Sequence, residues 1–194
     1  MKGNPMRLSI ALAALMLATP ALAQDLPLLN QIEMFEAAKG DGLTGVARKT
    51  LPVDARPAVE GEIVVSIIPG EGVETQSPPA SAGDWVVRNR CFENVEDNPE
   101  ILVRAARFPE RYGPAQSEPD DGGYSEFHPT GVEMEYFIVT EETGEFQFTA
   151  PWGEPMVARP GDAIVQIPND PDDTYRIARV EFDCTYEVVE PAAE

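Results

Sequence analysis

A pattern that occurs twice constrains this chain more than any other feature. Gly83-Asp84 leads into the apolar run Trp85-Val86-Val87. A polar loop and a second apolar run, Ile101-Leu102-Val103, then lead to Phe108-Pro109-Glu110-Arg111-Tyr112. Further on, Gly161-Asp162 opens Ala163-Ile164-Val165, followed by Tyr175-Arg176-Ile177 and Phe182-Asp183-Cys184-Thr185-Tyr186. The first copy is longer, and its extra residues fall in the polar loop, where insertion costs little. Upstream runs match as well, Val64-Val65-Ser66-Ile67 against Phe137-Ile138-Val139-Thr140. The expectation is a small β unit present in two fused copies.

The apolar runs are short and bounded by turn formers such as Pro69-Gly70-Glu71-Gly72 and Glu141-Glu142-Thr143-Gly144, which is strand rather than helix punctuation. The predicted fold is mainly β, with two tandem small antiparallel-sheet modules, SH3-like or small barrels, and a short N-terminal helix. The modules are placed at 46–114 and 124–190. Residues 115–123, rich in turn formers, read as a linker, and 191–194 as a tail. Over 24–45, Leu28, Ile32 and Phe35 recur at helical spacing. Asp25 is the expected cap, Pro27 suits a first turn, and Lys39-Gly40 a stop. The run over 133–140 and the return over 145–149 are expected to form a hairpin around Gly144.

The first 23 residues read as an export signal. Lys2 and Arg7 precede the apolar run Leu8–Leu17, and Ala21-Leu22-Ala23 fits a cleavage site before Gln24. An uncleaved anchor is the alternative, although the run is short beside the ~20 residues a span needs. The mature chain has no second apolar stretch of that length, so no membrane span is expected in it. The expected location is periplasmic or secreted. There Cys91 and Cys184 would lie in an oxidising compartment and pair as one disulfide, the alternative being two buried thiols.

The whole chain carries 34 acidic against 14 basic residues, a formal charge of −20, and loss of the leader deepens it. Such a surface repels phosphate backbones, so nucleic acid is not an expected partner. High net charge also keeps an exported protein soluble.

Three short motifs of the first copy resemble a small phage and bacterial domain of PGDYG type, with a Pro-Gly-Asp-aromatic centre. They are the opening Arg48-Lys49-Thr50-Leu51-Pro52-Val53-Asp54-Ala55, the centre Ala82-Gly83-Asp84-Trp85, and the close Phe108-Pro109-Glu110-Arg111-Tyr112. Ala82 replaces the usual Pro. The second copy keeps Pro160-Gly161-Asp162 and Phe182 to Tyr186 but has Ala163 in place of the aromatic and lacks the basic opening. The resemblance spans most of 46–190. It implies small curved sheets and no established activity.

Candidate chemistry is sparse. Asp84 and Asp162, each after Gly at a turn, are turn-stabilising acceptors, with paired carboxylates as the catalytic alternative. His128 is the only histidine, which excludes multi-histidine metal sites. A pair between it and Cys91 or Cys184 conflicts with a disulfide. Asp170, Asp172 and Asp173 offer oxygens to a calcium ion, but Tyr175 stands where an EF-hand needs Gly, and a solvated hairpin turn is the stronger reading. Arg104, Arg107 and Arg111 are a basic cluster in an acidic chain, suited to an anionic ligand or to carboxylates of the other module. By position Arg107 corresponds to Glu181, a possible charge pair between modules. With Trp85 these arginines mark the groove between modules as the expected interaction surface. No phosphate loop, nucleotide fingerprint or haem-attachment motif occurs, and no cofactor is expected.

The sequence therefore points first to an exported, non-enzymatic binding or interaction protein, its partner an envelope protein or small ligand. The alternatives are a carboxylate-dependent hydrolase in the same groove and a structural envelope protein. An enzyme would need a deep cleft holding two carboxyls of raised pKa. The copies diverge at the loop around Cys91, the arginines before Tyr112 and the acidic turn before Tyr175, where function is expected.

Overall fold

The computed structural model describes residues 26–193. The leader, its cleavage point and the Asp25 cap lie outside the described residues. Among the described residues no helix is long and apolar enough to cross a membrane.

The chain is mainly β, with short helices. Two five-stranded sheets dominate. One has the order β6 (Glu100–Val103), β5 (Trp85–Arg88), β2 (Val53–Pro57), β8 (Ser125–Pro129), β7 (Tyr112–Ala115). The other has the order β13 (Asp170–Ile177), β12 (Ala163–Ile167), β9 (Glu133–Ile138), β1 (Gly45–Lys49), β14 (Tyr186–Glu190). All neighbours are antiparallel. Each sheet carries a separate hairpin, β3 (Val65–Ile68) with β4 (Gly72–Gln76), and β10 (Phe146–Thr149) with β11 (Pro155–Ala158).

The sheets do not divide where composition divides the sequence. Strand β1, expected in the first unit, lies between β9 and β14 in the second sheet. Strand β8, expected in the second, lies between β2 and β7 in the first. The segment 115–123 is the β7–β8 hairpin loop rather than a linker. The Asp120 carboxylate accepts from the N–H groups of Gly122 and Tyr124 there, each at 2.8 Å, closing a tight turn. The crossings between sheets are instead 50–52 and 130–132. The first strand, β1, and the last, β14, are thus neighbours in the second sheet.

The helix α1 (Gln31–Gly40) starts later than the sequence suggests. Asn30 caps it, its side-chain oxygen accepting from Ile32 and Glu33 N–H. Pro27 is drawn instead into extended pairing, its carbonyl accepting from Gln147 N–H at 2.9 Å. Leu28 bridges Gln147 and stays exposed. Phe35 is the residue that matters. With Phe137, Phe146, Phe148 and Ile164 it forms the core under the helix. Full burial of each such side chain contributes about 1.5–3 kcal/mol. This packing also explains the hairpin partner. Phe146 and Phe148 are both fully buried, so β10 turns away from β9 to face α1 and pairs with β11.

The doubled motif has a common geometry. Gly83 and Gly161 have φ of +88° and +93°, open to glycine and strained for other residues. The next residue reaches back and across. Asp84 accepts from Ser81 N–H at 2.8 Å and Ala105 N–H at 2.9 Å. Asp162 accepts from Arg159 N–H at 2.8 Å and Arg179 N–H at 3.1 Å. Each carboxylate therefore staples the turn before a strand to the backbone just before or at the start of a short helix, α2 (Phe108–Arg111) or α3 (Arg179–Thr185). One helical turn then places Phe and Tyr on the same face, Phe108 against Tyr112 at 5.1 Å and Phe182 stacked on Tyr186 at 5.3 Å. Strand β13 stops at Ile177, and Ala178 leads into α3 at Arg179.

Cys91 and Cys184 form a disulfide, their Cα atoms 5.8 Å apart. It pins the loop after β5 to α3, joining the two halves covalently.

Candidate functional site

A cavity of about 590 Å³ lies between the two sheets, lined from β1, β4, β13, both short helices and the 129–132 crossing. That volume suits a small organic ligand. Its wall is built from residues far apart in sequence.

Lys49, the last residue of β1, lies opposite Tyr186 in the strand register. Its ammonium donates to Asn89 Oδ1 at 2.6 Å, and the Asn89 amide donates to Glu181 Oε1 at 2.5 Å. Asn89 follows β5 and Glu181 sits on α3, so three elements converge on one polar relay. Burial lowers the Lys49 pKa to about 8, against the pull of Glu181 and with Arg111 adding to the fall. Burial also raises the Glu181 carboxyl, which the Asn89 bond, Lys49 and Arg176 only partly offset.

A second polar cluster surrounds Arg176, the largest fully buried side chain of the protein. Its guanidinium donates to Asp162 at 2.8 Å, Glu74 at 2.8 Å and Glu71 at 3.0 Å. Glu74 also accepts from the Ser66 hydroxyl at 2.7 Å. Burial, with Glu181 nearby, nonetheless raises the Glu74 carboxyl. This network fastens the β3–β4 hairpin to the second sheet.

Three tyrosines complete the wall. Tyr112, Tyr175 and Tyr186 lie close enough to one another and to Arg111 to influence each other's ionisation. Burial raises all three, Tyr112 to about 12. The Arg111 guanidinium lies 5.6 Å from the Tyr175 ring centre, and the Trp152 ring is 6.4 Å from that of Tyr175. Trp152 Nε1 is buried without a hydrogen-bond partner. Met134, Met156 and Ile177 supply apolar surface.

The residues singled out from sequence are distributed unevenly about this cavity. Arg111 lines it and pairs with Asp173 at 2.8 Å across the sheets. Arg107 lines its mouth and pairs with Asp170 at 2.5 Å and Glu110 at 3.1 Å, not with Glu181, which bonds Asn89 instead. Asp170 and Asp173 are thus held by arginines, and Asp172 is exposed. Among the described residues no group of three or more His, Cys, Asp or Glu could hold a metal ion. Arg104 also lines the cavity, but its guanidinium is bound to Asp84 at 2.6 Å within its own sheet. There burial would raise the Asp84 carboxyl, yet the Ser81 and Ala105 N–H groups with Arg104 hold it below the ordinary value.

Trp85 does not line the cavity. It stacks on Phe108 at 4.2 Å and packs edge-on to Phe127 at 5.4 Å, in the core of the first sheet, because its strand turns that face inward. His128 is exposed against Glu126 at 2.9 Å, and the cysteines are bonded, so no Cys–His pair forms.

Compared with protein-family models, curated proteins and solved structures, the chain matches none.

Lys49, Glu74, Asn89, Glu181 and the three tyrosines escaped sequence reasoning as site residues. Lys49 stood within the Arg48-Lys49 opening of the first copy and Tyr112 and Tyr186 closed the doubled motif. Glu181 stood out only as the counterpart of Arg107 in the doubled motif, and nothing separated Glu74 from the other acidic residues.

Proposed function

We propose that this is an exported small-molecule binding protein whose site is the cavity between the sheets. The observation that carries the reading is the polar wall with unused capacity: a lysine without a carboxylate partner, a buried indole N–H without an acceptor, and converging phenols. Buried polar groups without partners are costly, and a bound ligand or ordered water would relieve that cost. The disulfide supports export, since such bonds persist in oxidising compartments. The matching strand orders of the two sheets support an origin in two copies of one unit, for which the PGDYG-type resemblance of the first copy remains the suggested source.

The test is a ligand screen read by Trp152 fluorescence in a Trp85→Phe variant, with thermal shift as a second readout. Saturable emission changes from a subset of small molecules support the reading. A flat response across ions, sugars, organic acids, amines and peptidoglycan fragments refutes it.

A second reading is favoured by one specific observation. Two carboxyls of raised pKa, Glu74 and Glu181, line the same cavity, which is the arrangement an acid–base hydrolase requires. Glu74, however, is saturated by Arg176 and Ser66, which suits structure better than proton transfer. Glu181→Gln separates the two readings. A binder keeps its ligand affinity within a few-fold, whereas an enzyme loses turnover by about 10²-fold or more.

A further inference from the structure

The ion pairs around the cavity leave one cation, Lys49, and one buried carboxyl, Glu181, without a direct partner, and Asn89 joins the two. Arg104 is bound by Asp84, Arg107 by Asp170 and Glu110, Arg111 by Asp173, and Arg176 by three carboxylates. Lys49 is bound only by a neutral amide, Asn89. It is the one cavity-lining cation, among the described residues, with no carboxylate within ion-pair distance. An ammonium has three donors, so two remain for a ligand.

The neighbours of Lys49 are donors too. Tyr186 faces it across the strand pair, and Tyr112 and Tyr175 lie beside Tyr186. From Tyr175 the wall continues to Trp152, whose N–H is unsatisfied, and to Met156. The cavity thus grades from a donor-rich end, where Lys49 stands beside an Arg111 already bound to Asp173, to an aromatic and thioether end. Glu181 is the acceptor at the polar end, and one of its oxygens is already taken by Asn89.

Resting on the reading of the cavity as a binding site, we propose that its ligand is an organic monocarboxylate. The carboxylate is held by Lys49 and the adjoining tyrosine hydroxyls, and the apolar tail lies along Tyr175, Trp152 and Met156. Lys49 supplies charge-assisted donors for one carboxylate, and with the Glu181 carboxyl already beside it through Asn89 nothing at this end compensates a second negative charge. A dianion such as a phosphate monoester would meet uncompensated repulsion from a protein of net charge −20. A neutral molecule would leave the two free Lys49 donors without a charged acceptor.

The experiment titrates the Trp85→Phe protein with benzoate, phenylacetate and octanoate. Benzamide, benzylamine and phenyl phosphate serve as the neutral, cationic and dianionic comparators, read by Trp152 emission and calorimetry. Carboxylates are expected to bind about 10-fold or more tighter than benzamide, as a charge-assisted bond implies. Lys49→Met is expected to abolish that preference, with benzamide binding little changed, and Lys49→Arg to retain most of it. The amide series in the same variant controls for misfolding. Equal binding of benzamide and benzoate, or tighter binding of benzylamine or phenyl phosphate, overturns the monocarboxylate proposal while leaving a binding cavity in place. Preference unchanged by Lys49→Met also overturns it. No binding by any of the six compounds overturns the monocarboxylate proposal, and a flat response in the wider screen overturns the binding reading as well.

Discussion

Replacing Arg176 with methionine tests how the halves of the cavity are held. The guanidinium is fully buried and satisfies three carboxylates. Its loss has unequal effects on them. Glu71 is partly exposed and can turn to water, or rely on Arg159 at 3.1 Å. Asp162 is 3% exposed but keeps two backbone N–H bonds. Glu74, also 3% exposed, keeps only the Ser66 hydroxyl. The cost therefore concentrates at Glu74, and breaking a buried pair in this way destabilises by about 3–5 kcal/mol. For a domain of this size that lowers Tm by about 6–20 °C. Without Arg176 the Glu74 carboxyl rises further, so it takes up a proton more readily in the folded than in the unfolded chain. Its raised folded pKa makes the folded state gain stability as pH falls, and the deficit of Arg176→Met should shrink between pH 7 and pH 5. Adding Glu74→Gln should recover a large part of the loss at pH 7 and remove the pH dependence of the remainder. The assay is urea unfolding of the single and double variants at both pH values. A cost below about 1 kcal/mol, or a double variant as unstable as the sum of the singles, would show that the network is not the buried ion cluster described.

Three further outcomes are expected. Converting Cys91 and Cys184 to alanine should lower stability by about 4–5 kcal/mol, since the bridge spans a separation of 93 residues, and chemical unfolding with and without reductant checks it. Asp84→Ala and Asp162→Ala should each cost about 2–4 kcal/mol in thermal or urea unfolding by orphaning two backbone N–H groups, while leaving the far-UV circular dichroism unchanged at 20 °C. The folded pKa of Lys49 lies near 8, below its ordinary 10.5, so the unfolded chain binds more protons between these values. The Lys49 contribution to stability should therefore rise with pH from about 8 towards 10.5, and Lys49→Met should flatten the profile over that window in pH-dependent unfolding.

Particular residues show where sequence was enough. Gly83 and Gly161 needed positive φ, and the aspartates beside them needed backbone donors, so their turn role followed from residue type alone. Cys91 and Cys184, the only two cysteines, had one possible intramolecular partner each. The spacing of Phe and Tyr at i and i+4 already encoded a shared face, although the single helical turn that creates it was not expected. The arginines before Tyr112 and the acids before Tyr175 were marked as places of divergence. They meet across the sheets as Arg107–Asp170 and Arg111–Asp173.

What the chain order could not convey is which sheet each strand joins. A strand's alternation of buried and exposed residues specifies a face, not a partner. β1 and β8 therefore read as members of their own halves and belong in fact to the opposite sheets. The site inherits that ambiguity. Lys49 is joined to Glu181 through Asn89 only because β1 closes the second sheet, and Glu74 reaches Arg176 only because a hairpin of one half folds over a strand of the other. Local composition determined that this would be a disulfide-bonded β protein with two stapled turns. Long-range pairing, where burial of whole sheet faces outweighs any local preference, decided that a lysine, two buried glutamates and three tyrosines would face one cavity.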